Sequence, residues 1–321
     1  MKAIVVHTFG GPEVLRYEEL PDPTPGPGEA LVDIRAIGVN YTDIYSRSGL
    51  YRPALPWVPG SEAAGVVAAV GEGVTEVRPG DRVAWASAPG TYAERAVVPA
   101  WRLVALPDEV SFETGAAAML QGMTAHYLAH STYPIAPGDR VLIHAGAGGV
   151  GLLLTQMAKA RGAYVFTTVS TEEKARLSRE AGADVVIRYT EEDFADRVLS
   201  ATNGQGVAVV YDSVAQSTYQ KSLACLAPRG FFVLYGQSSG PVPSLNPADF
   251  GARSLFFTRP SLVHYTATRA ELLQRANAVL DAIRAGSLKI RVFRTFPLAE
   301  AAQAHRLLEG RQTTGKLLLR P

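Results

Sequence analysis

The chain has a single cysteine, almost no net charge and no long apolar run, and each absence excludes a class of protein. Cys225 alone cannot form an internal disulfide or supply a zinc cluster of several thiolates. The 31 basic and 30 acidic residues leave a formal charge of +1, so no global basic field attracts nucleic acid or anionic lipid. The longest uncharged stretch, residues 114–138, contains glutamine, histidine and proline, so it does not predict a membrane span.

The remaining composition is typical of a folded protein with about two domains. At roughly 100–200 residues per domain, 321 residues correspond to about two domains, and 47% hydrophobic residues are enough for their cores. The first residues lack the apolar region of a signal peptide, because His7, Thr8 and Pro12 interrupt it. We therefore expect a cytoplasmic protein whose thiol is reduced.

The first third of the chain favours a small β domain, and a short helical pattern follows it. Short alternating or apolar segments separated by glycine and proline are typical of strands in a barrel or sandwich. After residue 111 the apolar spacing predicts a helix to about residue 128. The predicted strands cover residues 2–6, 14–20, 31–37, 65–70, 82–85 and 92–98.

From residue 140 onward, strands and helices alternate. This alternation predicts parallel pairing with right-handed crossovers, and six such strands fit the doubly wound dinucleotide-binding fold. The predicted strands are 140–144, 164–169, 184–187, 207–212, 231–235 and 254–257. The predicted helices are 149–161, 172–181, 191–201 and 218–226.

The last sixty residues are too few for a domain of their own. Thr268 and Glu271 have the spacing of a capping box that opens a helix, and a strand, a helix and a closing strand follow at 290–296, 298–309 and 315–319. We expect this piece to pack on the N-terminal β domain. The predicted domains are therefore residues 1–121 with 262–321, and an inserted domain of residues 122–261.

A glycine-rich loop indicates dinucleotide binding. Residues 146–151 read GAGGVG, which matches the pattern G-x-G-x-x-G. The loop follows a predicted apolar strand and opens a predicted apolar helix, which is the context that gives this pattern its meaning. The glycines allow a tight turn and a close approach of the backbone to a pyrophosphate, and helix amides then face the phosphates.

The end of the second α/β strand indicates which dinucleotide is bound. An NAD site places an acidic residue there, where it accepts a hydrogen bond from the ribose 2′-hydroxyl. Here the strand ends in Ser170, and Lys174 follows one turn later, so a hydroxyl and an ammonium favour a 2′-phosphate. Ser170 and Glu173 also have the spacing of a capping box, and Glu172 and Glu173 oppose an anion. We expect NADPH.

Segments spread along the chain resemble a known family. They are GVNYTDIYSRSGLY at 38–51, PGSEAAG at 59–65, the glycine loop, VYDSV at 210–214, GQSSG at 236–240 and TRPSL at 258–262. Together they resemble the quinone oxidoreductase branch of the zinc-independent medium-chain dehydrogenase/reductase superfamily, which includes zeta-crystallin. The resemblance implies an α/β protein with a GroES-like β-rich catalytic domain and an inserted Rossmann domain, NADPH as hydride donor, and quinones or other conjugated carbonyls as acceptors.

The resemblance also bears on metal content. Zinc-dependent relatives carry a cysteine in the first segment and Gly-His-Glu in the second, where this chain has Asn40 and Ser61. A catalytic zinc needs three protein ligands, so we predict a site without metal. His126 and His130 have helical i, i+4 spacing, but no acid–histidine motif accompanies them, and packing or a solvated face is the predicted role. Reduction of an electron-poor quinone needs no metal-stabilised alkoxide, which agrees with this acceptor class.

The resemblance implies site residues in both domains. Asn40, Tyr41, Tyr45, Thr124 and Tyr127 are expected beside the nicotinamide, with Asn40, Thr124, Tyr45 and Tyr51 as the catalytic set. For the tyrosines, ordinary packing of amphipathic rings is the alternative. The further cofactor contacts implied are Gly148, Gly149 and Val150 at the pyrophosphate, Ser170, Lys174 and Tyr189 at the 2′-phosphate, Ser213, Tyr235, Gly236, Gln237 and Ser238 after the fourth and fifth strands, and Arg259 and Arg311 as weaker assignments.

Three functions remain open from the sequence. The first is metal-free, NADPH-dependent reduction of quinones, and the second is NADPH-dependent reduction of enone or alkenal double bonds. The third is a nucleotide-binding protein with little catalysis, either crystallin-like or RNA-binding, although the near-neutral charge disfavours RNA. The expected partners are a small acceptor and a second copy of the chain, because the resemblance implies a homodimer formed through residues 254–257.

Overall fold

The chain forms two compact units in the computed structural model, which describes residues 1–321. The β-rich unit consists of Met1–Met123 and Thr266–Pro321, and the α/β unit consists of Thr124–Tyr265. No helix is both long enough and apolar enough to cross a bilayer.

The chain contains fifteen strands and ten α-helices. The strands are β1 (Lys2–Val6), β2 (Leu15–Glu19), β3 (Glu29–Val39), β4 (Glu62–Val70), β5 (Arg82–Ala86), β6 (Arg95–Pro99), β7 (Val104–Ala105), β8 (Arg140–Ile143), β9 (Tyr164–Val169), β10 (Val185–Arg188), β11 (Val207–Asp212), β12 (Leu226–Leu234), β13 (Phe256–Thr258), β14 (Val292–Pro297) and β15 (Lys316–Arg320). The helices are α1 (Tyr41–Arg47), α2 (Phe112–Tyr127), α3 (Gly149–Ala160), α4 (Glu172–Glu180), α5 (Phe194–Ala201), α6 (Tyr219–Ala224), α7 (Ala248–Gly251), α8 (Leu262–Tyr265), α9 (Arg269–Arg284) and α10 (Ala301–Glu309).

The long strand β3 organises the β-rich unit. It pairs with β4, β6 and β15, and the sheet runs in the order β14-β15-β3-β4-β5-β7. Because β15 comes from the end of the chain, the C-terminal residues complete the sheet begun by the N-terminal ones. The core of this unit is aromatic as well as aliphatic, and Trp85, Tyr92 and Phe296 are fully buried in it. Helix α9 begins with the expected capping box of Thr268 and Glu271.

The α/β unit is a doubly wound sheet of six parallel strands in the order β10-β9-β8-β11-β12-β13. The strand order reverses between β8 and β11, and ligands of such sheets bind at the carboxyl ends of the strands at this point. The predicted α/β fold class is confirmed: a β-rich unit built from both ends of the chain is combined with an inserted doubly wound parallel sheet.

Some local predictions were wrong, because side chains decide where helices begin. Thr171 rather than Ser170 caps α4, since its hydroxyl accepts a hydrogen bond from the Lys174 amide. The next helix, α5, begins at Phe194 because the Asp193 carboxylate caps it. Helix α1 was not predicted at all, since its seven residues are too few to show a helical period.

Candidate active site

The glycine loop lies between the central strand β8 and helix α3. Gly148 is the N-cap of α3 in extended conformation, and no side chain caps this helix. A Cβ on Gly151 would lie 2.2 Å from the carbonyl oxygen of Ala145, so the helix packs on the turn at a distance that only glycine allows. The first-turn amides, including those of Gly149 and Val150, are therefore available to an anion, which the helix dipole also favours.

Ser170 and Lys174 lie together at the carboxyl end of β9. The Ser170 hydroxyl accepts a hydrogen bond from Lys174 Nζ at 3.3 Å. The neighbouring strand β10 ends beside it, where Thr190 Oγ1 donates to the Ser170 carbonyl at 3.1 Å and Tyr189 is 44% exposed. The structure thus brings the three predicted 2′-phosphate residues to one edge of the sheet.

The nearby acidic residue Glu172 is already paired. Its carboxylate accepts a hydrogen bond from Arg179 at 2.7 Å and lies 3.5 Å from Arg188. The Arg179 hydrogen bond holds the pKa of Glu172 below its ordinary value. Two guanidinium groups therefore offset the negative charge of Glu172, which reduces its repulsion of a 2′-phosphate.

The loops after β11 and β12 pack against each other with no room between them. A Cβ on Gly236 would lie 2.9 Å from the Ser213 carbonyl oxygen, and the Ser238 amide donates to that oxygen at 3.0 Å. The Arg259 guanidinium donates to Gln237 Oε1 at 2.8 Å and so orients this side chain. Burial of its hydroxyl raises the pKa of Tyr235 well above its ordinary value. Five predicted cofactor residues therefore belong to one loop pair, and Arg259 supports it.

Beneath these loops lies a buried polar network that the sequence did not reveal. His144 Nε2 lies 2.9 Å from Ser222 Oγ, which donates to Asp212 Oδ2 at 3.1 Å. The Ser222 hydroxyl donates its only proton to Asp212, so it accepts a hydrogen bond from His144 Nε2–H. The other ring nitrogen, Nδ1, then accepts a hydrogen bond from the Thr168 hydroxyl at 2.9 Å. Burial lowers the pKa of His144, so the ring is neutral. The network ties the ends of β8, β9 and β11 together.

In the β-rich unit, Tyr41 and Tyr45 of helix α1 form an aromatic cluster with Tyr51, which follows the helix. The Tyr45 ring lies 5.6 Å from that of Tyr41 and 5.5 Å from that of Tyr51. Tyr45 is 7% exposed and Tyr51 is 42% exposed. The Tyr41 hydroxyl donates to the Leu308 carbonyl at 3.4 Å, and burial raises the pKa of this phenol. A planar, electron-poor ring matches such an aromatic surface.

Directly before α1, Asn40 is enclosed by Glu62 and Lys316. The Lys316 ammonium donates to Asn40 Oδ1 at 2.7 Å and to Glu62 Oε2 at 2.5 Å, and Asn40 Nδ2 donates to the same carboxylate oxygen at 2.9 Å. All three side chains are buried. Sequence reasoning missed Glu62 and Lys316, although a lysine at the head of a buried Leu-Leu-Leu strand was a visible signal.

A second chain of buried hydrogen bonds leads to α1 from α10. Arg47 is paired with Glu309 and lies 3.3 Å from His305 Nδ1, His305 Nε2 lies 3.0 Å from the Tyr92 hydroxyl, and this hydroxyl donates to Asp43 Oδ2 at 3.0 Å. Burial raises the pKa of Asp43 to about 7. Burial and the Arg47 guanidinium lower the pKa of His305 to about 3. His305 is therefore a neutral link between Arg47 and Tyr92.

The remaining predicted residues are Tyr127, Thr124 and Arg311. Tyr127 is buried and stacks on Tyr265 with ring centroids 4.3 Å apart. Thr124 is also buried, and Arg311 is exposed, with a φ of 55°. The rings of His126 and His130 stack with their centroids 4.3 Å apart.

This architecture, a dinucleotide-binding sheet combined with a GroES-like unit, defines a class of nicotinamide-dependent oxidoreductases. Residues 26–108 match the family described as alcohol dehydrogenase GroES-like domain, and residues 149–282 match the family described as zinc-binding dehydrogenase. A quinone oxidoreductase of Pseudomonas aeruginosa is 47% identical over 100% of this chain and 99% of its own length. A 2-haloacrylate reductase of a Burkholderia species is 45% identical over 99% of this chain and 98% of its own.

Solved structures agree with these relatives. The crystal structure of Escherichia coli quinone oxidoreductase complexed with NADPH superposes with a TM-score of 0.98, at 44% identity and with 100% of both chains covered. The chain belongs to the quinone oxidoreductase family, within the zinc-independent medium-chain dehydrogenases/reductases.

The zinc in one family description has no suitable donor set here. The oxygens of Asn40 and Glu62 both face the Lys316 ammonium, which would repel a second cation at this position. Ser61, the residue before Glu62, offers a hydroxyl and no imidazole or thiolate. Nowhere in the chain do three or more histidine, cysteine or acidic side chains form a group that could hold a metal ion. These residues do not fit zinc.

Proposed function

We propose that this protein reduces quinones with NADPH. The observation that carries the proposal is the uncapped N-terminus of α3 on the same sheet as a hydroxyl and an ammonium at the end of β9. The first group suits a pyrophosphate and the second suits a 2′-phosphate. Membership of the quinone oxidoreductase family, and the NADPH held by the E. coli relative, support the same conclusion.

The chemistry divides between the cofactor and the chain. NADPH supplies the hydride, a proton comes from solvent, and the quinone leaves as a hydroquinone. The α/β unit binds the cofactor, with the pyrophosphate on α3 and the 2′-phosphate at Ser170, Lys174 and Tyr189. The tyrosine cluster of α1 receives the flat acceptor ring. Asn40 acts by positioning, since its amide oxygen and nitrogen are both engaged within the β-rich unit.

One assay separates this proposal from its alternatives. NADPH oxidation is followed by absorbance with 1,4-benzoquinone, with 2-chloroacrylate, with a conjugated alkenal and with no acceptor. We expect kcat/KM for benzoquinone to exceed that for the other two by at least tenfold. Faster turnover of 2-chloroacrylate or the alkenal would show that the substrates are activated double bonds and not quinones. NADPH binding without turnover of any acceptor would support a nucleotide-binding protein with little catalysis.

The proposed partner besides the acceptor is a second copy of the chain. Strand β13 is the last strand of the α/β sheet and pairs only with β12, and its residues Phe256 and Phe257 are 52% and 38% exposed. An open edge with exposed aromatic residues is suited to continuing a sheet into a second copy. Sedimentation of Phe256→Asp should show a monomer. A matched change of the exposed Tyr17, in the other unit, should leave the dimer intact.

The proposed location is the cytoplasm.

A further inference from the structure

The three side chains of the Asn40 enclosure come from three neighbouring strand ends. Asn40 follows β3, Glu62 opens β4 and Lys316 opens β15, and both β4 and β15 pair with β3. They are separated in sequence by 22, 254 and 276 positions. Only the assembled sheet brings them within hydrogen-bond distance.

The enclosure is shielded from solvent and its donors and acceptors are matched. Lys316, Glu62 and Asn40 are 1%, 0% and 3% exposed. Glu62 Oε1 accepts from the Leu120 amide at 2.6 Å, and Asn40 Nδ2 also approaches the Gly38 carbonyl at 3.3 Å. A Cβ on Gly38 would lie 2.4 Å from Glu62 Oε2, so the carboxylate occupies the space left by this glycine.

Such a pair is a weak device for stability. Moving two charged groups out of water costs free energy, and well-packed apolar residues of the same size in their place would avoid that cost. A buried ion pair, in contrast, restricts neighbouring groups to one arrangement. Here the restricted group is the Asn40 amide. Lys316 can only donate and the Glu62 carboxylate can only accept, so the Asn40 oxygen must face the former and its nitrogen the latter.

The amide orientation matters because Asn40 is the residue from which α1 begins. Its own backbone N–H donates to Asp43 Oδ2 at 2.8 Å, so both its main chain and its side chain are held. Tyr41 follows immediately, and Tyr45 lies one turn further along the helix. A displacement of about 1 Å of a group that orients a substrate lowers turnover by about a hundredfold.

We propose that Lys316 is a positioning residue of the reaction, which acts with Glu62 through Asn40 to hold the start of α1 and hence the tyrosine cluster. This inference rests on the proposed function for its kinetic consequence. Its structural consequence, a rigid start of α1, is independent of that function.

The test uses a neutral double variant, because a single change would leave one buried charge unpaired and could unfold the protein. Lys316→Met with Glu62→Gln removes both charges at nearly constant volume. The matched control is Lys2→Met with Glu19→Gln, which removes an ion pair of 2.9 Å on the exposed surface of the same unit. For each protein we would measure thermal unfolding, the Kd for NADPH, kcat and KM for 1,4-benzoquinone, and amide hydrogen exchange of residues 40–48.

We expect the buried double variant to keep the wild-type Kd for NADPH within about twofold, because the proposed contacts to the pyrophosphate and the 2′-phosphate lie in the α/β unit. Its kcat should fall by about ten- to a hundredfold, and exchange in residues 40–48 should accelerate by at least tenfold, while the control changes neither. Unchanged exchange together with kcat within about twofold of wild type would overturn the proposal. Global loss of stability that speeds exchange equally throughout the β-rich unit would also overturn it, by assigning the pair to folding. If wild-type protein reduced no quinone, the proposed function would fail, while the exchange measurement would still decide the role of Lys316.

Discussion

The 2′-phosphate assignment makes a prediction that separates NADPH from NADH. Lys174→Ala removes the ammonium that lies 3.3 Å from the Ser170 hydroxyl at the end of β9. Because NADH lacks the 2′-phosphate, its affinity should hardly change. NADPH should lose one charge-assisted contact, and the selectivity ratio should fall by the same factor.

The size of the loss follows from the position of the lysine. A charge-assisted hydrogen bond contributes about 1.5–3 kcal/mol, and Lys174 is half-buried, so solvent screening places the value near the lower end. Glu172 does not offset the contact, since Arg179 and Arg188 already pair with it. A loss of about 1.5–2 kcal/mol corresponds to a roughly ten- to thirtyfold higher Kd for NADPH.

The assay is fluorescence titration of wild-type protein and Lys174→Ala with both cofactors, at low and at high ionic strength. Salt should weaken NADPH binding to wild-type protein more than to the variant, because screening acts on the contact that the variant lacks. Lys221→Ala is the control, since this lysine of the same unit is paired with Asp193. Equal losses for NADPH and NADH in Lys174→Ala would refute the assignment of the 2′-phosphate to this end of the sheet.

Three further predictions concern the β-rich unit. Tyr45→Phe should keep most of kcat with a small quinone, because water can protonate a stable quinolate, whereas Tyr45→Ala should lose more; a loss of about a thousandfold in the Phe variant would make Tyr45 a general acid. Dialysis against a chelator should leave activity unchanged, and a loss of activity that zinc restores would contradict the conclusion that the residues around Asn40 do not bind zinc. Burial raises the pKa of Asp43 from 3.8 to about 7. The contribution of the Asp43 carboxyl to the free energy of unfolding is therefore complete below pH 4 and is lost as the pH rises through about 7. The unfolding free energy of wild type relative to Asp43→Asn should therefore fall by up to about 4 kcal/mol between pH 4 and pH 8, and a flat difference in denaturant titrations would contradict the burial argument.

Features that depend on neighbours in sequence were predictable. The alternation of apolar strands and helices after residue 140 predicted the doubly wound sheet, because each strand pairs through a local βαβ unit. The glycine loop was predictable because its spacing encodes a turn, and its position between a strand and a helix is visible in the sequence. The capping box of α9 was predictable for the same reason, since Thr268 and Glu271 are three residues apart.

Helix starts show where local patterns become ambiguous. Ser170 and Thr171 both carry a hydroxyl that can cap α4, and the backbone conformation at the end of β9 selects Thr171. Helix α1 has no visible period over its seven residues, and it is held at its start by Asn40 and Asp43. The sequence suggested that Asn40 and the tyrosines lie near the reaction, but not what fixes them.

By itself, the sequence determined the class of fold, the dinucleotide loop and the choice of a hydroxyl and an ammonium at the end of β9, because each depends on residues close together in the chain. Only the tertiary structure decided that Lys316 meets Glu62 and Asn40, across separations of up to 276 positions. The physical reason is that these side chains share no local period. Their partners are set by the register of β15 and β4 on β3, and that register forms only when the two ends of the chain share one sheet.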